Sequence, residues 1–210
     1  MSFKSVSFLV IFMLSGSSLM FSQNAVGHFT LGFQTGALIP FGDNKGIASE
    51  QRGITNGLTF KYFPTNHFAM GMSVRVMNNS FQGQTSANNV PITQVPFTFD
   101  FEWYPTDWRL KPYAGFGAGL SFFTVTPVGG LVNTLKEIPD TYTTPAYLLT
   151  GKFGFAFQIS DRFSVTGEGT YFKVAEPGES FLWQQKDGTV YRQFSNKASF
   201  IFGVHYHFDE

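Results

Sequence analysis

The sequence predicts an all-β protein: an eight-stranded antiparallel up-and-down transmembrane β-barrel. Three observations predict it. Apolar and polar residues alternate at every second position over runs of strand length, again and again along the chain, which is the period of a strand with two unlike faces. The connections between those runs alternate long and short. The composition is also wrong for a water-facing surface, with 13% charged residues against roughly a quarter in soluble proteins, while aromatics reach 18% and include 27 Phe.

The 210-residue chain is of a size for one domain. Its first 22 residues carry one charge, Lys4, then the apolar run from Phe8 to Leu14 and the small polar Ser15-Gly16-Ser17-Ser18. That is the layout of a secretory signal peptide, with a core too short to span a bilayer as a helix. Residues 1–22 are therefore expected to be a leader and 23–210 the barrel domain. No later run approaches the ~18 apolar residues of a helical span, so any membrane is crossed by strands.

The first strand, residues 27–39, sets Phe29, Leu31, Phe33 and Ala37 against His28, Thr30, Gln34 and Gly36, and Pro40 is expected to end it. A polar loop, 41–52, follows with Gly42, Asp43, Asn44 and Gly46. The second strand, 53–63, sets Leu58, Phe60 and Tyr62 against Thr59 and Lys61 and stops at Pro64-Thr65-Asn66. The third begins at Phe68, with Met70, Met72, Val74 and Val76 opposed to Ala69, Gly71, Ser73 and Arg75. A loop rich in Asn and Gln is expected over 78–91.

Residues 95–124 hold the clearest pattern. Phe97, Phe99, Phe101 and Trp103 alternate with Thr98, Asp100, Glu102 and Tyr104. After a turn at 105–112, Ala114, Phe116, Ala118, Leu120 and Phe122 alternate with Gly115, Gly117, Gly119 and Ser121. A third loop runs to about 144. The sixth strand sets Tyr147, Leu149, Phe153, Phe155, Phe157 and Ile159 against Thr150, Lys152, Gly154, Ala156 and Gln158, and Ser160-Asp161-Arg162 turns the chain. The seventh, 163–174, shows Phe163, Val165 and Tyr171 against Ser164, Thr166, Glu168 and Thr170. A fourth long loop is expected over 175–193. The last strand alternates Phe200, Phe202, Val204, Tyr206 and Phe208 with Ser199, Ile201, Gly203, His205 and His207.

Four long and three short connections between eight strands match a bacterial outer-membrane barrel with both termini and the short turns on the periplasmic side. An even strand count lets the first and last strands pair, which removes the open edges that lipid does not tolerate.

Alternation alone fits a soluble barrel with aromatics inside equally well. The polar face decides. On a soluble barrel it would be dense in Lys and Glu. Here it is mostly Gly, Ser, Thr, Ala and Gln, which suits a narrow lumen. Tyr62, Trp103, Tyr104, Trp108, Tyr113 and Tyr206 gather near the short-turn strand ends and are expected to form an interfacial aromatic girdle. Phe41, Phe81, Tyr142, Tyr147, Trp183 and Tyr191 are expected to form a second one at the long-loop ends.

Composition also excludes several classes. Fourteen basic and fourteen acidic residues give a net charge of zero, without the basic footprint of a nucleic-acid binder. Cysteine is absent, so no disulfide, thiolate metal site or lipoprotein anchor forms on this chain. The loops carry no nucleotide, metalloprotease or calcium-loop motif, and no cofactor is expected.

The segment Trp103-Tyr104-Pro105-Thr106-Asp107, followed by Pro112-Tyr113-Ala114-Gly115-Phe116-Gly117-Ala118-Gly119-Leu120, resembles the OmpA/OmpX/OmpW-like outer-membrane β-barrels. In that family an aromatic-Pro turn precedes a PYxGxGxG-type strand. The resemblance implies placement among outer-membrane lipid and lipopolysaccharide, and handling by the barrel-assembly machinery. Phe208 resembles the terminal aromatic of the assembly signal, although Asp209 and Glu210 follow it. The scaffold hosts a lipid A deacylase among other activities. Ser195 and Ser199 stand toward the outer end of the last strand here, but no His lies near them in sequence or expected height, and a nucleophile without a base is inert. A non-enzyme is expected.

Six charges fall on the lumen face. Counted from the short-turn end, Lys61 and Glu102 lie about two residues in, Asp100 about four, Glu168 about six, Lys152 about seven and Arg75 about eight, at roughly 2.5 Å per step. They are expected to form an internal ion-pair network that plugs the lumen, or alternatively a gate. By parity His28, His67, His205 and His207 also face inward at this end, where barrel closure brings His28, His205 and His207 together as polar filling or as a metal or proton site. The expected function is structural, or a surface interaction with protein or glycan through four loops. The alternatives are a narrow channel for ions or small apolar solutes, as OmpW-like resemblance implies, and an accessory subunit of a secretion or motility complex.

Overall fold

The computed structural model describes residues 27–41, 51–81, 90–125, 142–175, 182–184, 190–192 and 196–208. The expected leader lies outside the described residues. Eight long strands form the wall: β1 His28–Phe41, β2 Gly53–Thr65, β3 Phe68–Phe81, β4 Val90–Trp103, β5 Leu110–Val125, β6 Tyr142–Gln158, β7 Phe163–Ala175 and β10 Asn196–Phe208. Between β7 and β10, β8 (Leu182–Gln184) and β9 (Val190–Arg192) make a separate two-stranded hairpin.

The wall closes in the order β1-β10-β7-β6-β5-β4-β3-β2, and every neighbouring pair is antiparallel. Closure is made by β1 and β10, paired from Phe29 opposite Phe208 to Phe41 opposite Asn196. Every wall strand thereby has a neighbouring strand on both sides for its backbone bonds, the condition for strands in hydrocarbon.

The faces separate as the alternation requires. Leu31, Phe33, Leu58, Phe99, Phe116, Phe153, Phe155, Phe200 and Phe202 are exposed on the outside, where cross-strand rings stack, Phe101 on Phe116 at 5.4 Å and Phe29 on Phe60 at 5.5 Å. Thr, Ser, Gln and the charged side chains of the opposite parity are buried inside.

The strands are longer than expected. β1 runs through Pro40 to Phe41, β2 through Pro64 to Thr65 with a register shift between Tyr62 and Thr65, and β5 begins at Leu110, inside the expected turn. β6 begins at Tyr142 and ends at Gln158, one residue before Ile159. Most of the added length is at the long-loop end. Asn78 and Asn79, expected in a loop, pair with Thr93 and Ile92, and the Thr93 hydroxyl donates to Asn78 Oδ1 at 3.0 Å. Polar residues end an apolar pattern, but they do not end a hydrogen-bond ladder. A wall of 13 to 17 residues per strand exceeds the roughly 9–11 that cross hydrocarbon, so it continues beyond it. The expected loop 175–193 contains the β8–β9 hairpin.

Candidate functional site

The lumen is filled in layers. Nearest the long-loop end, Leu38, Met77, Phe123, Ala146, Leu148, Phe172 and Val174 pack across the axis from β1, β3, β5, β6 and β7. Leu38, Met77 and Phe123 have no exposed surface. These residues occupy lumen parity, so the signal for an apolar plug was present in the strand pattern: each is an apolar residue where the face is otherwise polar.

Below the plug lies the ion-pair layer. Arg75 from β3 donates through Nη2 to Glu168 Oε1 of β7 at 2.8 Å and to Gln34 Oε1 at 3.1 Å, and its guanidinium stands 5.5 Å from the Phe172 ring centroid. The plug and the charges are therefore in direct contact. Lys61 donates to Glu102 Oε2 at 2.7 Å. Lys152 reaches both Glu102 Oε1 at 3.2 Å and Asp100 Oδ2 at 3.0 Å, and the second Asp100 bond comes from Ser73 Oγ at 2.8 Å. All six expected charges are buried and meet as three cations against three carboxylates. Buried charges balanced in this way avoid the desolvation penalty that a lone ion would carry.

Two residues expected in the outer girdle are inside instead. Tyr104 and Tyr113 are each 3% exposed. The Tyr104 hydroxyl donates to Glu102 Oε2 at 2.7 Å and the Tyr113 hydroxyl to Glu168 Oε2 at 2.8 Å, while their rings pack 5.2 Å apart. A phenol facing an ionised carboxylate in a dry interior makes a charge-assisted bond, which outweighs the interfacial preference of a free tyrosine. Burial first, and then the Glu102 carboxylate, hold the Tyr104 hydroxyl well above the usual phenol range, so it remains a donor. Tyr113 fits because its strand partner is Gly154, where a Cβ would stand 2.8 Å from the ring.

The remaining girdle residues lie outside. Trp103 and Trp108 are exposed, and Tyr62 and Tyr206 are half-buried against Phe29 and Phe163. Phe208 packs edge-on against Tyr206 at 5.0 Å. In the second girdle Phe41 and Tyr147 are exposed, and the side chains of Phe81, Tyr142, Trp183 and Tyr191 lie outside the described residues.

At the short-turn mouth, His205 is buried and its Nε2 shares a hydrogen bond with Thr166 Oγ1 at 3.1 Å, and His207 Nε2 does so with Ser164 Oγ at 2.9 Å. His67 faces the Tyr104 carbonyl and lies 3.6 Å from Asp107. Among the described residues no group of three His, Asp or Glu is arranged to hold a metal ion. Ser199 is buried in the wall's inner face, and Ser195 lies outside the described residues. Sequence reasoning also missed Lys197, which is buried and donates to Asn79 Oδ1 at 3.3 Å.

A closed antiparallel barrel of eight strands, aromatic outside and ion-paired within, has the fold of the small outer-membrane barrels of the OmpA/OmpX/OmpW kind. Solved structures bear this out at the level of fold. The chain is similar to the attachment invasion locus protein Ail of Yersinia pestis, with TM-score 0.55 and 12% identity over 87% of this chain and 99% of that one. It is similar to OprG of Pseudomonas aeruginosa, with TM-score 0.54 and 15% identity over 88% and 97%. A third likeness is to Neisserial surface protein A, with TM-score 0.51 and 14% identity over 86% and 96%. No family model matches the sequence, and no curated protein does.

Proposed function

We propose that this protein is a non-enzymatic barrel of the outer membrane, with both termini periplasmic, whose role is structural or exercised at the cell surface through its long loops. The observation that carries this reading is the closed lumen. A conducting path has to pass the layer of Leu38, Met77, Phe123, Leu148 and Phe172 and then the ion pairs beneath it. Opening it means separating buried charges from their partners, a step of several kcal/mol per ion, of order 3–5 for a broken buried pair.

The surface assignment draws support from Ail, which has been crystallised with the heparin analogue sucrose octasulfate. For this chain the corresponding ligands are a glycan or a surface protein. The test is conductance of the refolded barrel in planar lipid bilayers. No discrete steps above the bare bilayer are expected; reproducible ohmic steps overturn the closed-lumen reading in favour of a narrow channel.

A further inference from the structure

We propose that the short-turn mouth of the lumen is a binding site for a small oxyanion of the phosphate type. The cavity there measures about 50 Å³. At about 10–15 Å³ for each water it has room for several waters or one tetrahedral oxyanion.

Its lining brings Lys61, Arg109, Lys111, His205 and His207 together with the hydroxyl of Thr30, and among the described residues that line it there is no carboxylate. Barrel closure produces this convergence. Thr30 of β1 stands opposite His207 of β10 on one side and opposite Lys61 of β2 on the other. Gly32, two residues on, is opposite His205 and Thr59, and a Cβ there would lie 2.3 Å from the His205 ring.

The cations keep donors in reserve. Lys61 gives one proton to Glu102, and an ammonium has three. Arg109 directs Nε to the Gln158 carbonyl at 2.7 Å and Nη2 to the Ile159 carbonyl at 3.1 Å, two of the five N–H groups of a guanidinium. The nearby acids stand outside the lining: Glu102 is committed to Lys61 and Tyr104, and Asp107 sits exposed on the rim beside His67 and within electrostatic reach of Lys111.

A second observation points into the cavity. Thr30 is 2% exposed, and its Oγ1 has no hydrogen-bond partner among the described residues. A buried hydroxyl in that state is unfavourable, and an oxyanion that accepts its proton while taking others from Lys61 and Lys111 relieves it. Free phosphate and the phosphate of a phospholipid headgroup in the adjacent leaflet share this chemistry.

The test is calorimetric titration of inorganic phosphate into the barrel refolded in phosphate-free maltoside micelles, at constant ionic strength. Saturable binding at one site is expected. Lys111→Gln is expected to weaken it about tenfold, as for loss of one charge-assisted bond, and Thr30→Val to weaken it in the same direction. Lys173→Gln, on the exposed outer face, is expected to leave it unchanged. Heat-modifiable migration on gels checks that each variant is folded. A second arm adds monomeric short-chain phosphatidylglycerol: competition assigns the site to a headgroup, and lack of competition with phosphate binding intact assigns it to the free ion. The proposal is overturned by absence of saturable binding, by affinity unchanged in both lining variants, or by equal displacement with sodium chloride.

Discussion

Glu168 shows how much rests on a single side chain. It accepts from Arg75, from the Thr170 hydroxyl at 2.5 Å and from Tyr113, so both carboxylate oxygens are engaged. Glu168→Gln removes the charge and leaves the Arg75 guanidinium buried without its counter-ion. The expected loss of stability is about 3–5 kcal/mol, read by urea unfolding in lipid bilayers with tryptophan fluorescence; a loss below about 1 kcal/mol, the level of an exposed pair, contradicts the dry ion-pair layer. The sequence placed this residue, and the five other lumen charges, on the inner face by parity alone. It also placed Tyr104 and Tyr113 at that parity. The general preference of tyrosine for a membrane boundary overrode the position, because a residue at a strand end has two plausible surroundings and only the carboxylate across the lumen chooses between them.

At the scale of the strand, the outer face is built for hydrocarbon. β4 exposes Phe97, Phe99, Phe101 and Trp103 in sequence, and Phe99 is 55% exposed midway between the ends of the apolar run. Phe99→Arg is expected to destabilise the folded barrel by about 2–4 kcal/mol, the penalty for a cation near the bilayer midplane. Thr98→Ser, on the other face of the same strand, is expected to change stability by under about 1 kcal/mol. Equilibrium unfolding in phospholipid vesicles compares the two, and a tolerated arginine argues that this face meets water. Strand ends were less legible than strand centres. Pro40, Pro64 and the Asn78-Asn79 pair look like terminators when only local chemistry is considered. A neighbouring strand already in register supplies partners for the backbone, and the ladder continues past them.

At the scale of the whole molecule, closure between β1 and β10 produces both the lumen and its mouth. It brings Thr30 to His207, and it sets Leu38 of β1 against residues from the far side of the wall. The orientation proposed for the barrel has a direct consequence. Protease added to intact cells is expected to cut within the connections 42–52, 82–89, 126–141 or 176–195 and to spare the short turns near Asn66, Asp107 and Asp161. Mass spectrometry of the fragments reads the result, and cleavage at the short turns reverses the orientation.

The chain by itself determined the eight strands of the wall, the direction each faces and the six charges of the ion-pair network, because a period of two is a local property that survives without knowledge of neighbours. Only the tertiary structure decided which charge meets which, that two tyrosines complete their network, and that an apolar layer caps it. Those outcomes depend on contacts between residues far apart in the chain, 93 positions for Arg75 and Glu168. Such distances are set by the tilt and closure of the barrel, and no local pattern in the sequence encodes them.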